Sequence, residues 1–260
     1  MSDITKRIAN SLEEIEESHN VRTLYCCESG SRAWGFPSQD SDYDARFLYV
    51  HQHDWYFSID VEDQRDVIER PITDMLDLNG WDLRKALVLL RKSNPPLFEW
   101  LQSPIIYLDR LGAAESLRTL LPDYYSAISS HFHYLHMARG NYRDYLRGDV
   151  VRVKKYFYVL RPLLAILWIE KKLGPVPTEF SKLVDLTINE PTLRQEIDNL
   201  LIRKRAGEEL DQGPRIPVIS DFISREIERL EALEVTPDKK RRDMDRLNTV
   251  FRDLVGRAWA

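Results

Sequence analysis

Two acidic side chains that follow a Gly-Ser pair by about ten residues are the part of this 260-residue chain best suited to chemistry. Asp42 and Asp44 are two positions apart, so on a strand both side chains project from the same face. Carboxylates on one face repel each other unless a cation lies between them, and such hard oxygen ligands suit magnesium. The spacing predicts a divalent-metal site, with a solvated entrance to a strand as the alternative.

The Gly-Ser pair favours the metal site over the solvated alternative. Gly30 and Ser31 follow an apolar run, residues 24–27, that is typical of a buried strand. Glycine at the end of a strand lets the backbone turn sharply and approach a phosphate, because it carries no Cβ. A short helix that begins there would present its free N–H groups to the anion. We therefore expect a phosphate cradle, to which Arg32 adds a cation unless it is simply solvated.

The elements that must position this site predict a fold of the α+β class. Apolar residues at helical spacing form one stripe over 3–18, and a strand over 21–27 follows. Strand and helix signals alternate as far as residue 110, which predicts a small mixed-sheet core over 1–110.

Beyond residue 110 only helix signals remain, so a helical bundle is predicted over 111–260. The run Val159 to Ile169 is apolar on nearly every side and is typical of a central helix, with a kink or a shifted start at Pro162. The charge run Lys239–Arg242 is expected to be solvated. Helices are expected near 112–121, 123–146, 149–173, 178–186, 190–208, 217–235 and 237–258.

The order of these motifs resembles the signature of the polymerase-β-like nucleotidyltransferase superfamily, in which Gly-Ser precedes Asp-x-Asp by a similar distance. Longer segments narrow the likeness, namely ESGSRAWGF, SDYDARFLYV, DLNGWDLRKALVLL, NPPLFEWLQSPIIY and KKYFYVLRPLLA. Over roughly residues 20–185 the chain is similar to a bacterial and phage family of nucleotidyltransferases described as RNA-ligase-associated.

This resemblance implies a reaction and a set of residues for it. A nucleoside monophosphate would pass from a nucleoside triphosphate, ATP or another, to an acceptor hydroxyl with release of pyrophosphate. Asp42, Asp44 and a third carboxylate would hold two magnesium ions, or manganese in their place. Gly30, Ser31 and Arg32 would steady the phosphates. A lysine of the helical half, Lys154 or Lys155, would reach the triphosphate, although a solvated basic face is equally open for that pair.

The third carboxylate has more than one candidate. Asp77 lies between two leucines, as the third carboxylate of the superfamily does on the strand beside the first two, and the resemblance assigns the role to it. Asp82 is the rival, but its place just before Leu83 is better explained as the N-cap of a helix. Asp60 is a weaker rival.

Charge and composition exclude some classes of protein. The net charge is −5, and so acidic a chain lacks the basic footprint of a protein that grips nucleic acid over a wide surface, although a local basic cleft stays open. No apolar run approaches about 18 residues and no signal peptide opens the chain, so no membrane partner and a cytoplasmic location are expected. Cys26 and Cys27, adjacent on a strand, are expected to be buried free thiols.

Two things stay open. The acceptor is an RNA end, a metabolite or a protein, and nothing in the sequence decides among them. The alternative to an enzyme is a catalytically silent nucleotide-binding module, or a scaffold whose helical half docks a partner.

Overall fold

The computed structural model describes residues 3–208, 210–234, 236 and 243–260. These divide into two compact units. The sheet unit contains the chain as far as Ala33, Asp42–Tyr125 and the C-terminal helix. The helical unit contains Trp34–Ser41 and the stretch that begins at Ser126. The domain boundary expected at residue 110 stays a prediction, and the charge run Lys239–Arg242 lies outside the described residues.

The sheet unit is built on one five-stranded mixed sheet. The strand order is β3-β4-β2-β1-β5, in which β2 and β4 are parallel and the other neighbours are antiparallel. This mixed sheet confirms the α+β class expected from the sequence. The strands are β1 Val21–Glu28, β2 Tyr43–His51, β3 Val67–Glu69, β4 Leu76–Asp82 and β5 Ile106–Asp109.

Most of the remaining described residues are helical. In chain order they are α1 Asp3–His19, α2 Ser31–Trp34, α3 His53–Tyr56, α4 Leu83–Arg91, α5 Pro95–Leu101, α6 Ala113–Arg118, α7 Leu121–Tyr124, α8 Ala127–Tyr145, α9 Lys155–Glu170, α10 Phe180–Thr187, α11 Pro191–Arg205, α12 Pro217–Glu231 and α13 Asp245–Ala258. No helix in the described ranges is both long and apolar enough to cross a membrane.

The sheet carries a separate apolar core on each face. On one face the stripe of α1 packs against alternate residues of β1 and β2, and Cys26 belongs to this core. On the other face α4, α5 and α13 cover the residues in between, and Cys27 belongs to that core. Adjacent strand residues point to opposite faces. Both cysteines are buried and free, which confirms the expectation from the sequence.

The helical unit is organised around α9, as its sequence predicted. Nearly every residue from Tyr156 to Ile166 is buried, and Pro162 lies inside the helix. Helix α9 begins at Lys155 because the preceding residues Val150–Arg152 form a strand, β6, paired with β7 at Gln212–Pro214. This two-stranded ribbon was not predicted, because three-residue strands are too short to show an alternating pattern in the sequence.

One short segment connects the two motifs of the sequence and belongs to the helical unit. Trp34–Ser41 lies in the chain between Ser31 and Asp42. Phe36 is buried there, stacked on Phe157 at a centroid distance of 4.6 Å and edge-on to Phe180 at 5.4 Å. The ring of Trp34 meets Tyr158 edge-on at 5.7 Å. The segment is therefore held by an aromatic core and is not a free loop.

Candidate active site

The bend that follows β1 packs directly against the carboxylate of Asp44. A Cβ built on Gly30 would lie 1.7 Å from Asp44 Oδ2 and 2.6 Å from its Cγ, far inside any permitted contact. The preceding amide, Ser29 N–H, donates to the carbonyl of Asp44 at 2.9 Å. Only glycine leaves room for the Asp44 side chain at this bend. The close approach of a phosphate, which the sequence suggested as the reason for this glycine, stays a prediction.

Parallel pairing of β2 and β4 sets Asp77 beside Asp44. The register aligns these two residues directly, and both carboxylates contact one guanidinium nitrogen. Arg46 Nη2 donates to Asp77 Oδ2 at 2.7 Å and to Asp44 Oδ1 at 3.3 Å. Two of the three predicted carboxylates therefore converge, and the cation between them is an arginine of the chain itself.

Arg46 was not among the predicted site residues, although its position in the sequence carries a signal. It stands two residues after Asp44 on the same strand, so it shares a face with that carboxylate. What could not be read from the sequence is the register of β4, which brings Asp77 within reach of the same guanidinium.

A buried glutamate holds the backbone of Asp44 in place. Glu28, the last residue of β1, is fully buried, and its Oε1 accepts a hydrogen bond from the Asp44 amide at 2.8 Å. The hydroxyl of Tyr107 on β5 donates to Oε2. Glu28 thus ties the backbone of Asp44 to two neighbouring strands. Glu28 was not among the predicted site residues, because a lone glutamate at the end of an apolar strand resembles a solvated terminus.

The surroundings of Asp44 make its ionised form less stable. Burial raises the pKa of the Asp44 carboxyl above its usual value, and the charge of Arg46 opposes that rise. The negative charges of Glu28, Asp77 and Asp42 raise it further, in that order. A carboxylate crowded by like charges gains from any cation that binds beside it.

Asp42 lies near this pair but not in it. Its side chain is exposed, and its backbone carbonyl accepts from Arg32 Nε at 3.2 Å. The Arg32 guanidinium covers the ring of Tyr43 at 3.6 Å. Within the described part of the chain, no three His, Cys, Asp or Glu side chains are arranged to hold one metal ion. Joint ligation by Asp42, Asp44 and Asp77 therefore stays a prediction.

The rivals of Asp77 have other partners in the structure. Asp82 is the N-cap of α4, and its carboxylate accepts from the Arg84 amide at 2.8 Å and from the Tyr56 hydroxyl at 2.6 Å. This confirms the capping role expected from the sequence. Asp60 is exposed and accepts from Gln64 Nε2 at 2.6 Å.

The oxygen atoms of the Asp44–Asp77 pair are suitable ligands for a divalent cation such as magnesium. Every side-chain acceptor there is a carboxylate oxygen, which is the ligand such hard ions prefer. One oxygen of each carboxylate already lies within hydrogen-bonding distance of a single positive nitrogen. The missing Cβ of Gly30 leaves the space that the Asp44 carboxylate needs.

Lys154 and Lys155 lie in the helical unit at the start of α9. The Lys155 ammonium lies over the rings of Tyr145 at 4.4 Å and Tyr158 at 4.5 Å. Burial lowers the pKa of Lys155, and the charges of Lys154 and Arg152 lower it further. Lys154 is exposed. A role for either lysine in nucleotide binding stays a prediction.

Comparisons with known proteins identify the family of this chain. A family model described as "RNA repair pathway DNA polymerase beta family" matches residues 4–253. The uncharacterised protein YcgL of Bacillus subtilis (strain 168) is 51% identical over 255 residues, covering 98% of this chain and 97% of the relative. A solved structure of a nucleotidyltransferase-like protein from Exiguobacterium sibiricum 255-15 is 14% identical and covers 96% of this chain and 89% of that one. Its TM-score is 0.31, which supports no conclusion.

The resemblance inferred from the sequence is thus confirmed at the level of the family. The matched stretch extends well beyond the residues that suggested it, and it includes both the Gly-Ser bend and the paired carboxylates. This chain belongs to the RNA repair pathway DNA polymerase beta family.

Proposed function

We propose that this protein transfers a nucleoside monophosphate from a nucleoside triphosphate to an acceptor hydroxyl and releases pyrophosphate. The observation that carries the proposal is the register of β2 and β4, which aligns Asp44 with Asp77 beside Gly30, where any Cβ would overlap the Asp44 carboxylate. Membership of a polymerase β family supports the same reaction class.

Each residue of the site has a part in this proposal. Asp42, Asp44 and Asp77 would hold two magnesium ions, or manganese in their place. When bound, such ions neutralise phosphate charge and lower the pKa of a nearby hydroxyl. Ser31 and Arg32 would bind the β and γ phosphates next to the Gly30 bend, and Lys154 or Lys155 would add charge to the triphosphate.

The chain contributes positioning and charge neutralisation to this reaction. The acceptor oxygen attacks the α-phosphorus, the bond from that phosphorus to the bridging oxygen breaks, and pyrophosphate leaves with the electron pair. The hydroxyl proton passes to solvent. No covalent intermediate with the protein is needed, since alignment and charge stabilisation account for most catalysis of phosphoryl transfer.

The acceptor is the open part of the proposal. A family described by RNA repair favours an RNA end. The net charge of −5 favours a metabolite or a protein side chain, because a polyanion gains little from an acidic surface.

The test is incubation with each α-labelled triphosphate and magnesium, together with separate cellular fractions of RNA, metabolites and protein. One fraction should take the label, with an equal amount of pyrophosphate released. Asp44→Asn and Asp77→Asn should each abolish most of the transfer while the protein stays folded.

Other outcomes contradict the proposal in distinct ways. Transfer at the parental rate by Asp44→Asn would remove the carboxylates from the mechanism. Triphosphates that raise the melting temperature without any transfer would indicate a silent nucleotide-binding module. If triphosphates and magnesium produce neither effect, the chain is a scaffold.

A further inference from the structure

We propose that Arg46 is a built-in counter-cation of this site and competes with the divalent ion, so that an ion can bridge Asp44 and Asp77 only by displacing the Arg46 guanidinium from them. The inference rests on the proposed function for the identity of the competing ion. It adds a residue that limits metal binding, and it predicts how the ion enters.

Arg46 is held at four points. Its Nη2 donates to one oxygen of each carboxylate, at 2.7 Å on Asp77 and 3.3 Å on Asp44. Its Nη1 donates to the backbone carbonyls of Asp77 at 3.1 Å and Ala45 at 3.2 Å. The side chain is only 17% exposed, compared with 29% for Asp44 and 28% for Asp77. A planar guanidinium with several donors is well matched to such an arrangement.

The ion and the guanidinium need the same place. Magnesium binds carboxylate oxygens at about 2.0–2.1 Å, so an ion shared by these two carboxylates would lie close to where Nη2 lies now. The other oxygen of Asp44, Oδ2, faces the backbone of Gly30, which closes that side. Two cations cannot share one position, so bridging by the ion requires Nη2 to leave.

The negative charges of the two carboxylates explain why one cation, the Arg46 guanidinium, would be exchanged for another, the divalent ion. Asp44 and Asp77 are aligned on neighbouring strands, and Arg46 Nη2 contacts both of their carboxylates. Without a cation the carboxylates would repel each other across the sheet. Arg46 therefore stabilises the metal-free protein. The two carbonyl contacts of Nη1 can hold the guanidinium nearby while Nη2 gives up the carboxylates.

Ion entry should therefore depend on the nucleotide. An ion alone must displace Arg46 with only the carboxylates as ligands, whereas an ion that arrives on a triphosphate brings phosphate oxygens with it. The freed guanidinium can then meet a phosphate, to which arginine binds strongly.

The test is a titration with Mn²⁺ in the absence of nucleotide. Binding is measured as the decrease of the electron paramagnetic resonance signal of free Mn²⁺. Arg46→Gln should bind Mn²⁺ at least about tenfold more tightly than the parent, because a positive charge next to the ion is removed. Arg65→Gln is the matched control. Arg65 pairs with Glu69 at the surface of the sheet unit, so its loss should change the affinity less than about twofold.

A double-mutant cycle separates competition from a general charge effect. In the parent, Asp77→Asn should change Mn²⁺ affinity little, since it removes one ligand of the ion but also weakens the hold on the competing Arg46 guanidinium. In the Arg46→Gln background the same change should reverse most of the gain. Additive effects of the two substitutions would overturn the inference.

Folding is controlled by a second variant. Arg46→Lys keeps a positive charge but cannot contact both carboxylates and both carbonyls at once, so its Mn²⁺ affinity should fall between the parent and Arg46→Gln. If both variants are folded and bind Mn²⁺ no more tightly than the parent, Arg46 only orients the carboxylates and the inference is wrong. If both fail to fold, the exchange is equally wrong, since a site that exchanges its cation must tolerate the loss of this one when Mn²⁺ is supplied.

These outcomes are separate from those of the proposed function. Tighter Mn²⁺ binding by Arg46→Gln with no nucleotide transfer by the parent would uphold the exchange and refute the enzyme. Nucleotide transfer by the parent with unchanged Mn²⁺ affinity in Arg46→Gln would uphold the enzyme and refute the exchange.

Discussion

At the scale of single residues, Gly30 is the most constrained position of the site. Its backbone lies where any Cβ would overlap Asp44 Oδ2. Gly30→Ala must therefore move the carboxylate or the bend, and overpacking of this kind costs roughly 1–3 kcal/mol. We expect a lower free energy of unfolding in urea and loss of most nucleotide transfer.

Gly140→Ala is the control for Gly30→Ala. Gly140 lies within α8, and a Cβ there would meet nothing within 4 Å. Alanine is favoured over glycine in a helix by roughly 0.5–1 kcal/mol, so this variant should be slightly more stable than the parent. Equal effects of the two alanines would show that position 30 has no special packing constraint.

Asp82 predicts a defined pH dependence of stability. Burial raises the pKa of this carboxyl to about 6. The folded protein then binds more protons than the unfolded chain between the unfolded pKa near 4 and about 6, so stability should decrease as pH rises through that window. The loss should be on the order of 2–3 kcal/mol.

Asp82→Asn separates this titration from the helix cap. Asparagine keeps an oxygen that can accept from the Arg84 amide, but it does not titrate. The free energy of unfolding, measured in urea at pH 4, 5, 6 and 7, should lose the component that Asp82 contributes. An unchanged pH profile in this variant would show that another group is responsible.

At the scale of elements, Glu28 joins three strands at the end where the site lies. It accepts from the amide of Asp44 on β2 and from the hydroxyl of Tyr107 on β5. Glu28→Gln keeps the shape but replaces one acceptor with a donor, which leaves one of these contacts unsatisfied. We expect about 1–3 kcal/mol lower stability and weaker Mn²⁺ binding, because Asp44 is no longer held.

Tyr107→Phe is the graded partner of that change. It removes one hydrogen bond to Glu28 and leaves the contact with the Asp44 amide, so it should cost roughly 1 kcal/mol and change Mn²⁺ binding less than Glu28→Gln. A larger effect of Glu28→Gln than of Tyr107→Phe, both in urea unfolding and in Mn²⁺ titration, would show that Glu28 holds Asp44 in position. The reverse order would contradict it.

The elements also show what the sequence could predict and what it could not. The stripe at Ile8, Leu12 and Ile15 predicted α1, and these three side chains are buried in the structure. The position of Asp82 before Leu83 predicted the cap of α4. Local patterns were sufficient in both cases, because both depend on residues that are close in the chain.

Contacts that depend on strand pairing could not be predicted from the sequence. Asp44 and Asp77 meet through the register of β2 and β4, and the contacts of Arg46 and Glu28 depend on that same pairing. The ribbon of β6 and β7 joins residues about sixty positions apart through strands of three residues. Asp42 and Asp44 could be proposed because their spacing is local, and Asp77 because of the family resemblance. Arg46 and Glu28 were missed because their contacts come from strand pairing.

At the scale of the whole molecule, each unit has its own core, and Phe36 tests the helical one. Its ring is buried against Phe157 and Phe180. Phe36→Ala should lower the free energy of unfolding by about 3–5 kcal/mol, as expected when a large aromatic side chain leaves a cavity. Phe57→Ala is the control, since Phe57 is 81% exposed and its loss should change stability by less than about 0.5 kcal/mol. Similar values for the two variants in urea unfolding would contradict the packing of Phe36.

The passage of Trp34–Ser41 through the helical unit limits how this protein can be divided. A shortened chain that stops at Tyr125 would retain the bend, both motif carboxylates and the complete five-stranded sheet. It would also carry Trp34 and Phe36 without the aromatic partners that bury them. The predicted motif thus contains, between Ser31 and Asp42, a segment that belongs to the hydrophobic core of the helical unit. Cutting the chain at Tyr125 should therefore expose two aromatic side chains that the helical unit now covers.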